Sequence, residues 1–193
     1  MRTQIKKDKE LVNAYLAGDN RALEQLINRH KEKVFTSIYM FTKDQYLAED
    51  LFQDTFIKAI DKLKQGKYKE EGKFLPWIMR MSYNICIDHY RKSKRNKNIT
   101  TSEDFDIFDI IPTEDDNPEL TFINGQSSDK VRQIVDLLPD EQREVVLLRH
   151  YYDFSFKEIA ELTGVSINTA LGRMRYSLIN LRKIIEEQKI SLG

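Results

Sequence analysis

Along this chain apolar residues recur every three or four positions, and no stretch alternates with period two for long enough to require a strand. The pattern predicts an all-α fold. Leu11 and Tyr15 mark a short first helix closed by Gly18, after which Asp19 can cap the next helix. That second helix carries Leu23, Leu26, Ile27, Val34, Ile38 and Phe41 on one side. A third helix is predicted from about residue 45 to 63. Leu47, Leu51, Thr55, Phe56, Ala59, Ile60 and Leu63 form its apolar stripe, with Glu49, Asp50, Gln53, Asp54 and Lys58 outside it. The segment 65–74 has two glycines and three lysines and reads as an exposed loop. Pro76 suits the first turn of a fourth helix with Trp77, Ile78, Met81 and Ile85 in its core, continuing through Asp88 and Arg91.

A second helical unit is predicted further on. Val131, Ile134, Val135 and Leu138 belong to one helix ended by Pro139. Asp140 and Glu141 then place negative charge in the first turn of another, favourable at the positive end of the helix dipole, with Val145, Leu148 and Tyr152 buried. Ser155 and Glu158 make a capping box for a helix over 156–162. A last helix runs from about Ile167 to the C-terminal end. The stretch 156–175 has the layout of a helix-turn-helix: Ala160 is small where the helices touch, Gly164 suits the turn, and Ser166 can cap the second helix. A helical wheel puts Ile167, Ala170, Leu171, Met174, Leu178 and Leu181 on the buried side. Thr169, Gly172, Tyr176 and Asn180 lie opposite, flanked by Asn168, Arg173 and Arg175. In such a motif the second helix enters the major groove, so Asn168, Thr169 and Arg173 are candidates for base contacts. Gly172 in mid-helix is explained by a close approach of DNA or of another helix to its backbone.

Charge divides the chain in a way that composition hides. The whole sequence balances 31 Lys and Arg against 31 Asp and Glu. Residues 1–98 nevertheless carry 21 basic and 13 acidic side chains, residues 99–128 carry 8 acidic and none basic, and residues 129–193 carry 10 of each. The middle segment, polar with short apolar islands at Phe105, Ile107, Phe108, Ile110 and Ile111, reads as an acidic flexible linker joining two domains. The basic first block, ending in Arg91, Lys92, Lys94, Arg95 and Lys97, suits a polyanion. An equally plain reading of that run is a solvated helix end. No stretch approaches the roughly 20 apolar residues that cross a bilayer, and the start is polar, so membrane insertion and secretion are not expected. Cys86 stands alone, and three scattered histidines do not assemble a zinc site. A cytoplasmic protein with no metal or cofactor is expected.

The two halves together resemble the bacterial sigma factors of the extracytoplasmic-function (ECF) type, which carry regions 2 and 4 of the sigma-70 family. For region 2 the resemblance rests on Gly18-Asp19-Asn20, on the stretch from Ala48 through Asp50, Leu51, Gln53, Asp54 and Phe56 to Ala59, and on Phe74, Pro76 and Trp77 with Asn84, Asp88 and Arg91. For region 4 it rests on Leu138-Pro139-Asp140-Glu141, continuing to Arg149, and on the helix-turn-helix. The resemblance implies that 1–98 is region 2, 99–128 a linker and 129–193 region 4. It implies a subunit that binds core RNA polymerase and promoter DNA and needs no catalytic residue and no small-molecule substrate. Asp50, Gln53, Asp54 and Phe56 match the surface presented to the clamp helices of the polymerase's largest subunit. Lys69, Lys73, Asn84, Asp88 and Arg91 match the region that captures an unstacked base of the −10 element and meets the upstream edge of the melted segment. Asp88 can accept a cytosine amino hydrogen, hold Arg91, or be a surface charge. Ser166, Asn168, Thr169, Arg173, Arg175 and Tyr176 match the −35 reader. Many relatives have basic residues where this chain has Leu171 and Tyr176, which implies missing or shifted phosphate contacts there, or a stacking or hydroxyl contact from Tyr176. Family members are commonly held inactive by an anti-sigma factor.

Two other readings fit less of the chain. A dimeric helix-turn-helix regulator acting on a palindrome leaves the first helical unit unexplained. An enzyme would use the loop 66–74, which is similar to a phosphate-binding loop. That loop has one residue too many, Phe74 in place of the required Ser or Thr, and no preceding strand. Cys86 and His89, three apart on a helix, lack a third orienting group.

Overall fold

In the computed structural model the described residues are 6–69, 71–97, 131 and 133–187, with backbone alone at 94–97, and every regular element among them is helical. The chain is all-α. It divides into two units, Met1–Ile99 and Thr100–Gly193. The expected linker, 99–128, lies outside the described residues, as do Lys94, Arg95 and Lys97 at the level of their side chains.

The first unit contains α1 (Asp8–Leu16), α2 (Asn20–Thr42), α3 (Gln45–Lys64) and α4 (Phe74–Lys97). Gly18 adopts φ +104, the left-handed region that a glycine reaches without strain, and so turns the chain after α1. Asp19 then accepts a hydrogen bond from the backbone N–H of Arg21 and caps α2. Asp44 caps α3 in the same way through the N–H of Leu47. The long α2 packs against each of the other three helices. Its buried positions include Leu26, His30, Val34, Ile38 and Phe41, while Leu23 and Ile27 are half-buried. The hydroxyls of Ser37, Thr55 and Ser82, all in the core, bond back to carbonyls of the preceding turn, which removes the cost of burying them.

One ion-paired clamp holds α1 to α2. Asp8 at the start of α1 receives the Arg29 guanidinium at 2.6 Å and sits 2.8 Å from His30 Nε2, while Arg29 Nη2 also donates to the carbonyl of Lys6. His30 is buried, and its ring lies 5.8 Å from that of Phe74 at the start of α4.

In the second unit a helical segment at 133–136 leads to Pro139, which caps α5 (Asp140–Val146). Arg143 ties the two together, pairing with Asp140 and donating to the carbonyl of Asp136. Ile134, Val135 and Leu138 are buried as expected, but Val131 is exposed. A π-helical turn, Leu147–Tyr151, extends α5. Then come α6 (Phe156–Thr163) and α7 (Ile167–Glu187). The Ser155–Glu158 capping box is formed: the N–H of Glu158 donates to Ser155 Oγ at 3.3 Å and the N–H of Ser155 to Glu158 Oε2 at 2.9 Å. Gly164, at φ +70, ends α6.

Candidate nucleic-acid interface

On α3 the apolar stripe faces the core and Glu49, Asp50, Gln53, Asp54 and Lys58 are all exposed, as the wheel predicts. Phe56 is a correction. It is only 7% exposed, and its ring packs edge-on against Phe52 at 4.9 Å, so it belongs to the core and is not part of the exposed polar face. Two exposed residues on that face escaped the sequence reading. Tyr46 is 81% exposed and Ile57 57%, and with Asp50 and Gln53 they fall at i, i+4, i+7 and i+11, one row along the helix. Their signal was a break in the polar face, apolar residues on the side that solvation does not favour.

α4 is buried almost all round between Ile78 and Ile87, leaving a narrow exposed row of Arg80, Asn84, Asp88 and Arg91. The half-buried Trp77 begins this row. Asn84, Asp88 and Arg91 were expected there, and Arg80 was not. The preceding loop is not simply exposed. Lys67, Lys69 and Lys73 point to solvent, but Tyr68 and Phe74 are buried. The Lys73 ammonium lies 3.8 Å from Glu71 with both side chains largely exposed, a pair that contributes little.

In the helix-turn-helix, Ser166 caps α7: its Oγ accepts from the N–H of Thr169 at 3.0 Å and lies 2.9 Å from the Thr169 hydroxyl. Asn168, Thr169, Arg175 and Tyr176 are exposed. The buried side of α7 is rotated from the expected one. It is centred on Ala170 and Ser177, while Ile167, Leu171 and Leu178 are 44–46% exposed. Two expected outward residues turn to α5 instead. Arg173 Nη2 lies 2.7 Å from Glu141 Oε1 with its side chain 19% exposed, and Asn180 Nδ2 donates to Gln142 Oε1 at 2.8 Å. Gly172 does not mark a helix contact, since a Cβ placed there meets nothing within 4 Å.

No helix among the described residues is long and apolar enough to cross a membrane. Residues 26–96 match the family described as Sigma-70 region 2, and residues 128–170 match Sigma-70, region 4. The chain is 29% identical to the ECF RNA polymerase sigma factor SigE of Mycolicibacterium smegmatis over 86% of its own length and 63% of that protein. It is 28% identical to the RNA polymerase sigma-H factor of Pseudomonas aeruginosa, covering 87% of this chain and 88% of that one. With SigW of Bacillus subtilis the identity is 25% over 93% and 97%. Two solved structures share the fold. CnrH, solved with the cytosolic domain of CnrY, matches at 21% identity and a TM-score of 0.59 over 94% of this chain and 99% of its own. The sigma factor RpoE of Bartonella quintana, solved with the anti-sigma factor NepR, matches at 20% and 0.58 over 85% and 96%. Region 2 followed by region 4, in a chain that aligns with ECF factors along nearly its whole length, identifies it: the protein belongs to the ECF subfamily of sigma-70 factors, non-enzymatic proteins that direct RNA polymerase in promoter recognition.

Proposed function

We propose that the outer face of α3 docks on the clamp helices of the largest polymerase subunit, that the loop 65–73 and the exposed row of α4 hold the melted −10 element, and that α7 reads the −35 element. The observation that carries this reading is the row on α4. A helix buried on nearly every side that keeps one strip of Arg80, Asn84, Asp88 and Arg91 in solvent has a surface suited to phosphates and base edges. Lys69 and Lys73 beside it add sequence-independent affinity through counterion release. On α3, Asp50, Gln53 and Asp54 supply a polar patch bracketed by Tyr46 and Ile57, the mixture of aromatic, aliphatic and polar groups common in protein interfaces. On α7, Ser166, Asn168, Thr169, Arg175 and Tyr176 form the DNA-facing set, and Arg173, held at Glu141, positions the helix.

An anti-sigma factor is a further proposed partner, in line with the RpoE neighbour solved with one. The proposed compartment is the cytoplasm, where the polymerase acts, with the acidic segment 99–128 as the tether between regions. Run-off transcription with purified core polymerase over genomic fragments tests the function. Discrete new transcripts that appear only when the chain is added are expected, and their 5′ ends give the promoter sequence. A transcript pattern identical to core polymerase alone would overturn the reading.

A further inference from the structure

The lysine-bearing loop has an aromatic residue at its centre that points the opposite way from its lysines. Tyr68 is 9% exposed while its neighbours Lys67 and Lys69 are in solvent. Its ring centroid lies 4.5 Å from that of Trp77 with the planes at 45°, and 6.1 Å from Phe74 in an edge-on arrangement. The Phe74 ring in turn lies 5.8 Å from that of His30, which is itself held by Asp8. Gly66 and Gly72, at φ +65 and +75, stand on either side of Tyr68 and let the chain turn there without strain. Trp77, the principal partner, is the residue that begins the exposed row Arg80, Asn84, Asp88 and Arg91.

We infer that Tyr68 is a positioning residue whose ring pins the loop to Trp77 and Phe74, so that the loop lysines and the α4 row form one preset surface for single-stranded DNA. The inference rests on the reading of this loop and α4 as the −10 site. Its physical basis is the cost of ordering: a nine-residue loop that is free before binding loses conformational entropy on the DNA, and one already anchored does not. Aromatic pairs at these separations are favourable beyond the area they bury, and Tyr loses few rotamers when held. The lysines supply charge, and the ring decides where the charge is held.

Holoenzyme reconstituted with the full chain tests this. The probe is a promoter fork, taken from the run-off transcripts, whose non-template strand is single-stranded across the −10 element. Tyr68→Ala is expected to weaken fork binding about tenfold through lost preorganisation. Affinity for core polymerase and for −35 duplex stays at the wild-type level. In the free chain, acrylamide quenching of Trp77, the single tryptophan, increases. Tyr68→Phe keeps the ring and behaves as wild type. Should the alanine variant also lose core binding, Tyr68→Leu, which retains most of the buried volume, replaces it with the same expectation. Wild-type fork affinity or wild-type quenching in the ring-less variants overturns the inference, as does a Phe variant as weak as Ala. A Lys69→Ala/Lys73→Ala variant separates the two levels. If it loses fork affinity while Tyr68→Ala does not, the −10 reading stands and the anchor falls. If both bind as wild type, reading and anchor fall together.

Discussion

Arg173, on the second helix of the helix-turn-helix, is paired at 2.7 Å with Glu141 in the first turn of α5. A guanidinium so placed fixes the rotation of α7 about its own axis, because Asn180, seven residues further on, meets Gln142 of the same helix. That rotation decides which side chains face outward. Arg173→Ala and Glu141→Gln are therefore expected to weaken −35 duplex binding in the same direction. The double variant should be less than additive, with a coupling of about 0.5–1 kcal/mol. Fluorescence anisotropy on −35 duplex with holoenzyme measures this. Tighter binding in Glu141→Gln would mean instead that Arg173 is released to reach the DNA itself.

Gly172 separates stability from recognition. It lies inside α7 with open space where a Cβ would stand, so Gly172→Ala should stabilise the protein by about 0.5–1 kcal/mol in thermal unfolding. On the proposed reading of α7 as the −35 helix, the glycine lets DNA approach the backbone closely, and −35 binding should then fall even as stability rises. A variant that is both more stable and fully active would leave the glycine without a DNA role.

Asp50 is exposed on α3 and Phe56 is buried, and the two are expected to fail differently. Asp50→Lys reverses an exposed charge, so folding should be unchanged and co-elution with core polymerase weakened. Phe56→Ala empties a buried site against Phe52 and should cost about 3–5 kcal/mol of stability. Chemical denaturation alongside size-exclusion with core polymerase distinguishes the two. An Asp50→Lys protein that co-elutes like wild type would remove the clamp assignment.

Asp8 holds two side chains at once, the Arg29 guanidinium and the His30 ring. Asp8→Ala leaves the buried His30 without its carboxylate and releases Arg29, and a loss of about 1–3 kcal/mol is expected in thermal unfolding. A midpoint unchanged from wild type would show that the clamp between α1 and α2 adds nothing net.

The features readable in the sequence were those decided by local backbone chemistry. Gly18 with Asp19, Pro139, and Ser155 with Glu158 each act within a few residues, and each forms as expected. The polar face of α3 was readable because its helix packs on one broad side only. On α7 the same method misplaced the buried side. A wheel weights large apolar residues, whereas close approach to α5 and α6 is decided by the small Ala170 and Ser177, which leaves Leu171 and Leu178 part-exposed. Tyr68 was hidden for a related reason. Within a run of lysines its composition says solvent, and only the position of Trp77 in three dimensions gives its ring a place to bury.

Division of labour between the two units is best tested by permanganate footprinting of holoenzyme on a promoter found by run-off. Wild-type protein should render thymines of the −10 segment reactive. An Asn84→Ala/Asp88→Ala/Arg91→Ala variant should lose that reactivity while DNase I protection over the −35 element persists. Undiminished thymine reactivity in the triple variant would contradict the assignment of α4 to the melted strand.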